Sequence, residues 1–285
     1  MAISANLDAA VRAPARAWRA AHEGLGALGD QVSFFARTLA WTPRAVRRYR
    51  TEILRLLAEV SLGRGAMVLV AGTIGVIVFE SLSVGCVVGM VGYQGLRQVG
   101  ITSYVGFLSA YFNTRESAPL IAGVALAATI GCGFTAQLGA MRIGEEVDAL
   151  EVMAIPSLPY LATTRVLAGL IVITPLYIFA TLAGFFADRV MLTAFYGIPR
   201  GDFNHYFFLY LNPLDILFAY IQVVAMVVVV MLIHTFYGYN ARGGPAEVGV
   251  AVGASVRTSL SAVMIVNLLV AMALYANFNT YHLAS

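Results

Sequence analysis

Five long hydrophobic runs, at about 66–94, 117–139, 160–187, 214–238 and 258–279, alternate with shorter polar stretches along the chain. Each is long enough to carry a helix across about 30 Å of hydrocarbon, which takes roughly 20 apolar residues. In lipid a backbone must satisfy its own hydrogen bonds, so only helices or closed barrels can span. A membrane barrel would show segments of about ten residues with alternating polarity, whereas these runs are continuous. The pattern therefore predicts an all-α integral membrane protein with about five transmembrane helices. A further apolar piece, ITSYVGFLSAY within 96–116, is too short to cross and is expected to form a partial or re-entrant helix.

Ahead of the first run the pattern changes. Residues 1–30, rich in Ala, Arg and Gly, predict a mobile or loosely helical cytoplasmic segment. Over 31–62, Tyr49, Ile53, Leu56, Leu57 and Val60 share one helical face, with Arg47, Arg48, Arg50 and Arg55 between them and Trp41 nearby. Such an amphipathic helix lies in a membrane interface, although the same stripe also suits a helix packed on a partner. The remainder, 63–285, reads as one membrane domain. No early apolar core with a small-residue cleavage site occurs, so a removable signal peptide is not expected.

Composition agrees with a membrane protein: 60% of residues are hydrophobic and 12% charged, about half the usual share for a soluble domain. All 18 basic residues are arginine. A Walker A loop needs lysine on the phosphates, so this chain is not expected to hydrolyse ATP by that route, and any ATP-driven work needs a second polypeptide. With the N-terminus inside, only Arg97, Arg115, Arg189 and Arg200 fall outside and the other fourteen arginines inside. The positive-inside rule therefore places the N-terminus in the cytoplasm.

Enzyme readings find little support. His22, His205, His234 and His282 are scattered, with no HExxH and no GxSxG elbow, and His234 is expected to be a packed or interfacial residue. Cys86 and Cys132 sit singly in apolar runs and suggest packing rather than a disulfide or metal site.

Charge is concentrated in one place. In GAMRIGEEVDALEVMAIP, residues 139–156, five of the ten positions from Arg142 to Glu151 are charged. On a helix over 142–154, Ile143, Val147, Leu150 and Ala154 form one face, while Arg142, Glu145, Glu146, Asp148 and Glu151 occupy the rest. Pro156 and Pro159 would end it. Val152 lies on the charged face and has no role in this scheme. Such a helix can press its apolar face on the bundle and offer acids to a partner; equally, the charges can simply keep a connector out of lipid.

Other residues carry weaker signals. Glu80, near the centre of the first span, is costly in hydrocarbon and marks a polar cavity or a paired group. Arg115 and Glu116 precede the second span on the outer side and suit an external contact or an interfacial anchor, with Pro119 opening the helix. Gly123, Ala127, Gly131 and Gly133 favour close helix packing. The aromatic segment 188–213 is expected at the outer interface.

The runs RESAP (115–119), GCGFTAQLGAMRIGEEVDALEVM (131–153), PYLATTRVLAG (159–169) and YGYNARGGPAEVGVA (237–251) together resemble the MlaE/YrbE permeases, the membrane subunits of Mce-type lipid-transporting ABC systems. The resemblance implies two paired permeases in the bacterial inner membrane. It also implies a cytoplasmic ATPase docked on each, which carries the ATP and Mg while this chain binds no cofactor. Outside, a hexamer of MCE-domain proteins is implied, and the cargo is fatty acids, phospholipids or sterols; no nucleic-acid partner is expected. On this mapping, 139–153 is a coupling helix whose Arg142, Glu145, Glu146, Asp148 and Glu151 dock the ATPase. Glu80 and Gln137 are candidate lipid-path residues, and Arg115 and Glu116 candidate outer-face contacts. The sequence departs from the family where Gln137 replaces a glutamate and Gly131-Cys132 replaces a glycine-base pair. The family glutamate's role does not carry over to Gln137, and a heterodimer whose second permease keeps the charges, as in actinobacterial Mce systems, would account for the change. A non-transporting membrane scaffold is the alternative function.

Overall fold

The computed structural model describes residues 26, 28–62 and 66–275, which form helices and short turns with no strand among them. Among the described residues, five helical stretches are long and apolar enough to cross a membrane: Gly72–Gln98, Thr102–Ile143, Leu158–Phe195, Pro213–Tyr239 and Pro245–Tyr275. The chain is thus an all-α integral membrane protein. Of the expected mobile segment 1–30, only 26 and 28–30 are among the described residues, and they are helical.

The amphipathic region 31–62 is three helices rather than one: α1 (28–40), α2 (Thr42–Arg48) and α3 (Arg50–Leu62). Pro43, which has no N–H to donate, sits in the first turn of α2, where none is needed. The predicted stripe faces inward, with Ile53 and Leu56 buried and Tyr49 meeting Tyr160 edge-on at 5.4 Å. Leu54 and the arginines between stripe positions face out.

The first span is α4 (Ala66–Gln98). The second is longer than expected. It runs through α5 (Val105–Phe112), a π-helical turn at Asn113–Ser117, α6 (Ala118–Leu126), a second π turn at Ala127–Gly131 and α7 (Cys132–Ile143). The polar run at 113–117 resembles a loop in sequence, but Asn113, Thr114, Arg115 and Ser117 are all buried against other helices. Pro119 lies inside this stretch instead of opening it. A proline ring crowds the carbonyl four residues back, here that of Arg115, and the π turn lies at that point.

After the short α8 (Glu146–Val152), the third span begins with a π turn, Leu158–Thr163, and continues as α9 (Thr164–Val190). A π turn, Met191–Phe195, leads to α10 (Arg200–Tyr210). The segment expected to be an aromatic interface belt thus folds back, and Phe203 and Phe207 pack with Val105, Ala110 and Leu192. The fourth span is α11 (Pro213–Tyr239) and the last is α12 (Pro245–Tyr275). The last begins thirteen residues earlier than expected because the glycine-rich stretch after Pro245 is helical, while the turn itself is confined to 240–244. The expected end of this span at 279 lies outside the described residues.

Helix α11 is the central post, with Met226, Val227, Val230 and Met231 fully buried. Lipid tails are as apolar as leucine, so close packing and internal hydrogen bonds hold such helices together. His234 shows both. Its Nδ1 is 2.8 Å from Thr135 Oγ1 on α7, and its Nε2 is 3.1 Å from Ser259 Oγ on α12. A Cβ added at Gly131 would stand 2.7 Å from the imidazole Cδ2, so the absent side chain there makes room for the ring. Helices α4 and α9 meet in the same manner at Gly85, where an added Cβ would fall 2.7 Å from the Gly184 carbonyl oxygen and 2.8 Å from Ala187 Cβ. Gly85→Leu is accordingly expected to part these helices and lower the thermal unfolding temperature in detergent clearly below that of Gly72→Leu, where a Cβ meets nothing within 4 Å.

Candidate functional site

The charged segment between the second and third spans is two pieces, not the single helix expected over 139–153. Helix α7 ends at Ile143, Gly144 caps it, and Glu145 takes a left-handed φ of 59° before α8 starts. The carbonyl of Glu145 accepts the amide of Ala149 at 3.0 Å, so the strained residue also opens α8. A second positive φ, 58° at Ala154, follows its end. A helical wheel carries residues across such breaks without seeing them.

The inward face of α8 is formed by Val147, 0% exposed, and the half-buried Leu150, packed with Leu138, Leu161 and Tyr239. Ala154, expected on that face, is exposed beyond the turn. The charges divide into two sets. Arg142 and Asp148 pair with each other at 2.7 Å. Ser157 Oγ donates to Glu151 Oε1 at 2.7 Å and lies 2.7 Å from the Tyr239 hydroxyl, which ties the segment to α11. Glu145 and Glu146 are exposed and make no side-chain bond among the described residues. Beside them Val152 is 88% and Met153 61% exposed. Val152, without a role in the sequence scheme, is the most exposed of the large apolar side chains described. An anchored segment thus presents free acids beside an uncovered apolar pair.

A second region lies in the membrane. Glu80 on α4 and Glu116 in the π turn line one cleft of about 650 Å³, with Phe112, Leu120, Val124 and Met264. The sequence had placed these two acids in separate roles. Asn267 Nδ2 donates to Glu116 Oε2 at 3.2 Å, and Gln222 Nε2 donates to Asn267 Oδ1 at 2.5 Å. Glu80 makes no hydrogen bond or ion pair among the described residues. Gln137 is not part of this cleft. It lies 21 residues beyond Glu116 on the same helical stretch, about 30 Å at 1.5 Å per residue. There its Nε2 donates to Glu59 Oε1 of α3 at 3.3 Å.

Arg115, expected to point outward, is turned inward by the π turn. One Nη reaches both carboxylate oxygens of Asp215 at 2.9 Å. The guanidinium lies between the rings of Tyr111 and Tyr275, 4.2 and 4.5 Å from their centroids. Its side chain is 7% exposed and that of Asp215 11%. An outward contact would strip Asp215 of its counter-ion. The partner is 100 residues away in sequence, which no local pattern reveals. Among the described residues no group of three His, Cys, Asp or Glu is placed to hold a metal.

Among the described residues, five helical stretches long and apolar enough to cross a membrane define a multi-pass membrane protein. The family model "Permease MlaE" matches residues 62–273, so the chain belongs to the MlaE permease family. It is 27% identical over 191 residues to a probable ABC transporter permease protein of Rickettsia bellii, covering 65% of this chain and 72% of the relative. A probable ABC transporter permease protein of Synechocystis is 29% identical over 199 residues, 66% of this chain and 74% of that one. The intermembrane phospholipid transport system permease protein MlaE of Haemophilus influenzae is 29% identical over 196 residues, 67% and 72% respectively.

Proposed function

We propose that the chain is the permease subunit of an ATP-driven lipid transporter. It sits in the bacterial inner membrane with its N-terminus in the cytoplasm and works with an ABC ATPase dimer, which carries the ATP and Mg, and a hexamer of MCE-domain proteins. The observation that carries this reading is the segment 144–153: Val147 anchors it to the bundle while Glu145, Glu146, Val152 and Met153 face away from it. A solvated connector has no use for two adjacent uncovered large apolar side chains, whereas a docking surface does. Movement of the segment under the ATPase would reach α11 through Ser157 and Tyr239, and the second span directly through α7.

The cleft at Glu80 and Glu116 is the lipid path in this reading, with fatty acids, phospholipids or sterols as cargo. Gln137, held by Glu59, does not supply a charge to it. A second YrbE-like permease that brings the missing charged pair completes the transporter as a heterodimer. The test is reconstitution of the assembled transporter in vesicles. Lipid added to them is expected to raise ATP hydrolysis, and Glu80→Gln is expected to reduce that rise while leaving assembly intact. Hydrolysis that ignores lipid would favour a scaffold instead.

A further inference from the structure

On the membrane face that holds most of the arginines, α1 leans on the end of α11. Phe34 is buried there, its ring centroid 5.4 Å from that of Phe236 and 5.6 Å from that of Tyr239. Beside this contact is a cavity of about 690 Å³, to which Leu28, Phe34 and Phe236 contribute apolar surface and Arg37 and Arg242 contribute charge. Arg37 uses Nε and one Nη on Ser33, at 3.3 and 3.2 Å, leaving its other Nη without a partner among the described residues. Arg242 makes no hydrogen bond or ion pair among the described residues. Asp30 also lines the cavity but pairs with neither arginine.

Apolar side chains of α1 also face out nearby: Leu28 is 58% and Val32 63% exposed. Exposed apolar residues with arginines on a short helix are the pattern of an element lying at the headgroup level. A guanidinium is the preferred side chain for a phosphate, and two of them beside an aromatic floor suit a ligand with an anionic head and an oily tail.

We propose that this cavity binds one anionic phospholipid from the arginine-rich leaflet, its phosphate held by Arg37 and Arg242 and its chain laid over Leu28, Phe34 and Phe236. Such a lipid would fasten α1 to the bundle and would not be cargo. The transport cleft has no arginine in its lining to hold a phosphate as Arg37 and Arg242 would, and different helices build it. The proposal stands whether or not the chain transports lipid.

The test uses the full chain in nanodiscs of phosphatidylcholine into which phosphatidylglycerol is titrated, with retained lipids counted by native mass spectrometry. Retention of one phosphatidylglycerol is expected, weakened about tenfold by Arg242→Gln and again by Arg37→Gln, the loss of a charge-assisted hydrogen bond in each case. Arg189→Gln serves as a control and is expected to leave retention unchanged. Equal retention in all variants would overturn the proposal. Complete displacement by inorganic phosphate would also overturn it, since the site would then hold a soluble anion. Unchanged lipid retention with loss of a bound partner protein from Arg242→Gln would make the cavity a protein-docking site and end the lipid assignment.

Discussion

Arg115→Ala is expected to destabilise the protein by about 3–5 kcal/mol, the cost of leaving one member of a buried ion pair without its partner. Asp215 would be left buried at the head of α11 with no cation in reach among the described residues, and Tyr111 and Tyr275 would lose the guanidinium that lies between them. Three separate elements meet at that guanidinium, the second span, α11 and the end of α12, so the damage should appear as a loss of global melting temperature in detergent. Arg115→Lys keeps the charge but not the planar group that bridges two oxygens and faces two rings, and an intermediate loss is expected. The double variant Arg115→Met with Asp215→Leu removes both charges at once. It should recover most of the stability, because a buried pair exchanged for apolar residues of similar size is often neutral or better. A single Arg115→Ala variant that melts with the parent would show the pair to be solvated and of little value.

The second large effect is functional. Val152→Asp is expected to leave stability within about 0.5 kcal/mol, because the side chain touches almost nothing in its own chain. It should nevertheless weaken capture of the ATPase about tenfold or more, as the loss of a central apolar anchor from an interface does. Val147→Asp is the contrasting change. It buries a charge against Leu138 and Leu161 and should lift α8 from the bundle, so both stability and capture fall. Charge reversal at Glu145 and Glu146 should also weaken capture, and the effect should fade with added salt, since both acids are exposed and screened. Binding of the Val152→Asp variant at parental strength would place the contact elsewhere.

Membrane class, span number and the position of the charged segment were all legible in the sequence, because length and continuous apolarity decide them. The extent of the second span was not. Its residues 113–117 are polar, and only their distant partners make them fit a bundle: Ser109 and Asn113 donate to Asp188 from 79 and 75 residues away, and Arg115 meets Asp215. Hydropathy counts such groups as costs and cannot see the partner that cancels them. The break at Gly144 and Glu145 was hidden for another reason. A wheel assumes continuous helix, but α8 ends at Val152 and Ala154 has a left-handed φ of 58°, so Ala154 leaves the inner face while Val147 and Leu150 keep it. Glu80 and Glu116 belong to one cleft only because α4 packs beside the second span, a tertiary fact with no signature in spacing. The stripe in α3 shows the reverse case. Its periodicity matches the structure, where Ile53 and Leu56 are buried and Tyr49 meets Tyr160 of the same chain.

The most direct measurement is affinity purification of the tagged chain from its native membrane, side by side with Val152→Asp and the Glu145, Glu146 charge-reversal variant. An ABC ATPase and a second permease are expected to co-purify with the parent chain. The ATPase should be lost from both variants while the second permease is retained. An ATPase recovered equally with all three, or with none, would contradict the claim that the segment 144–153 is where ATP-driven work enters this protein.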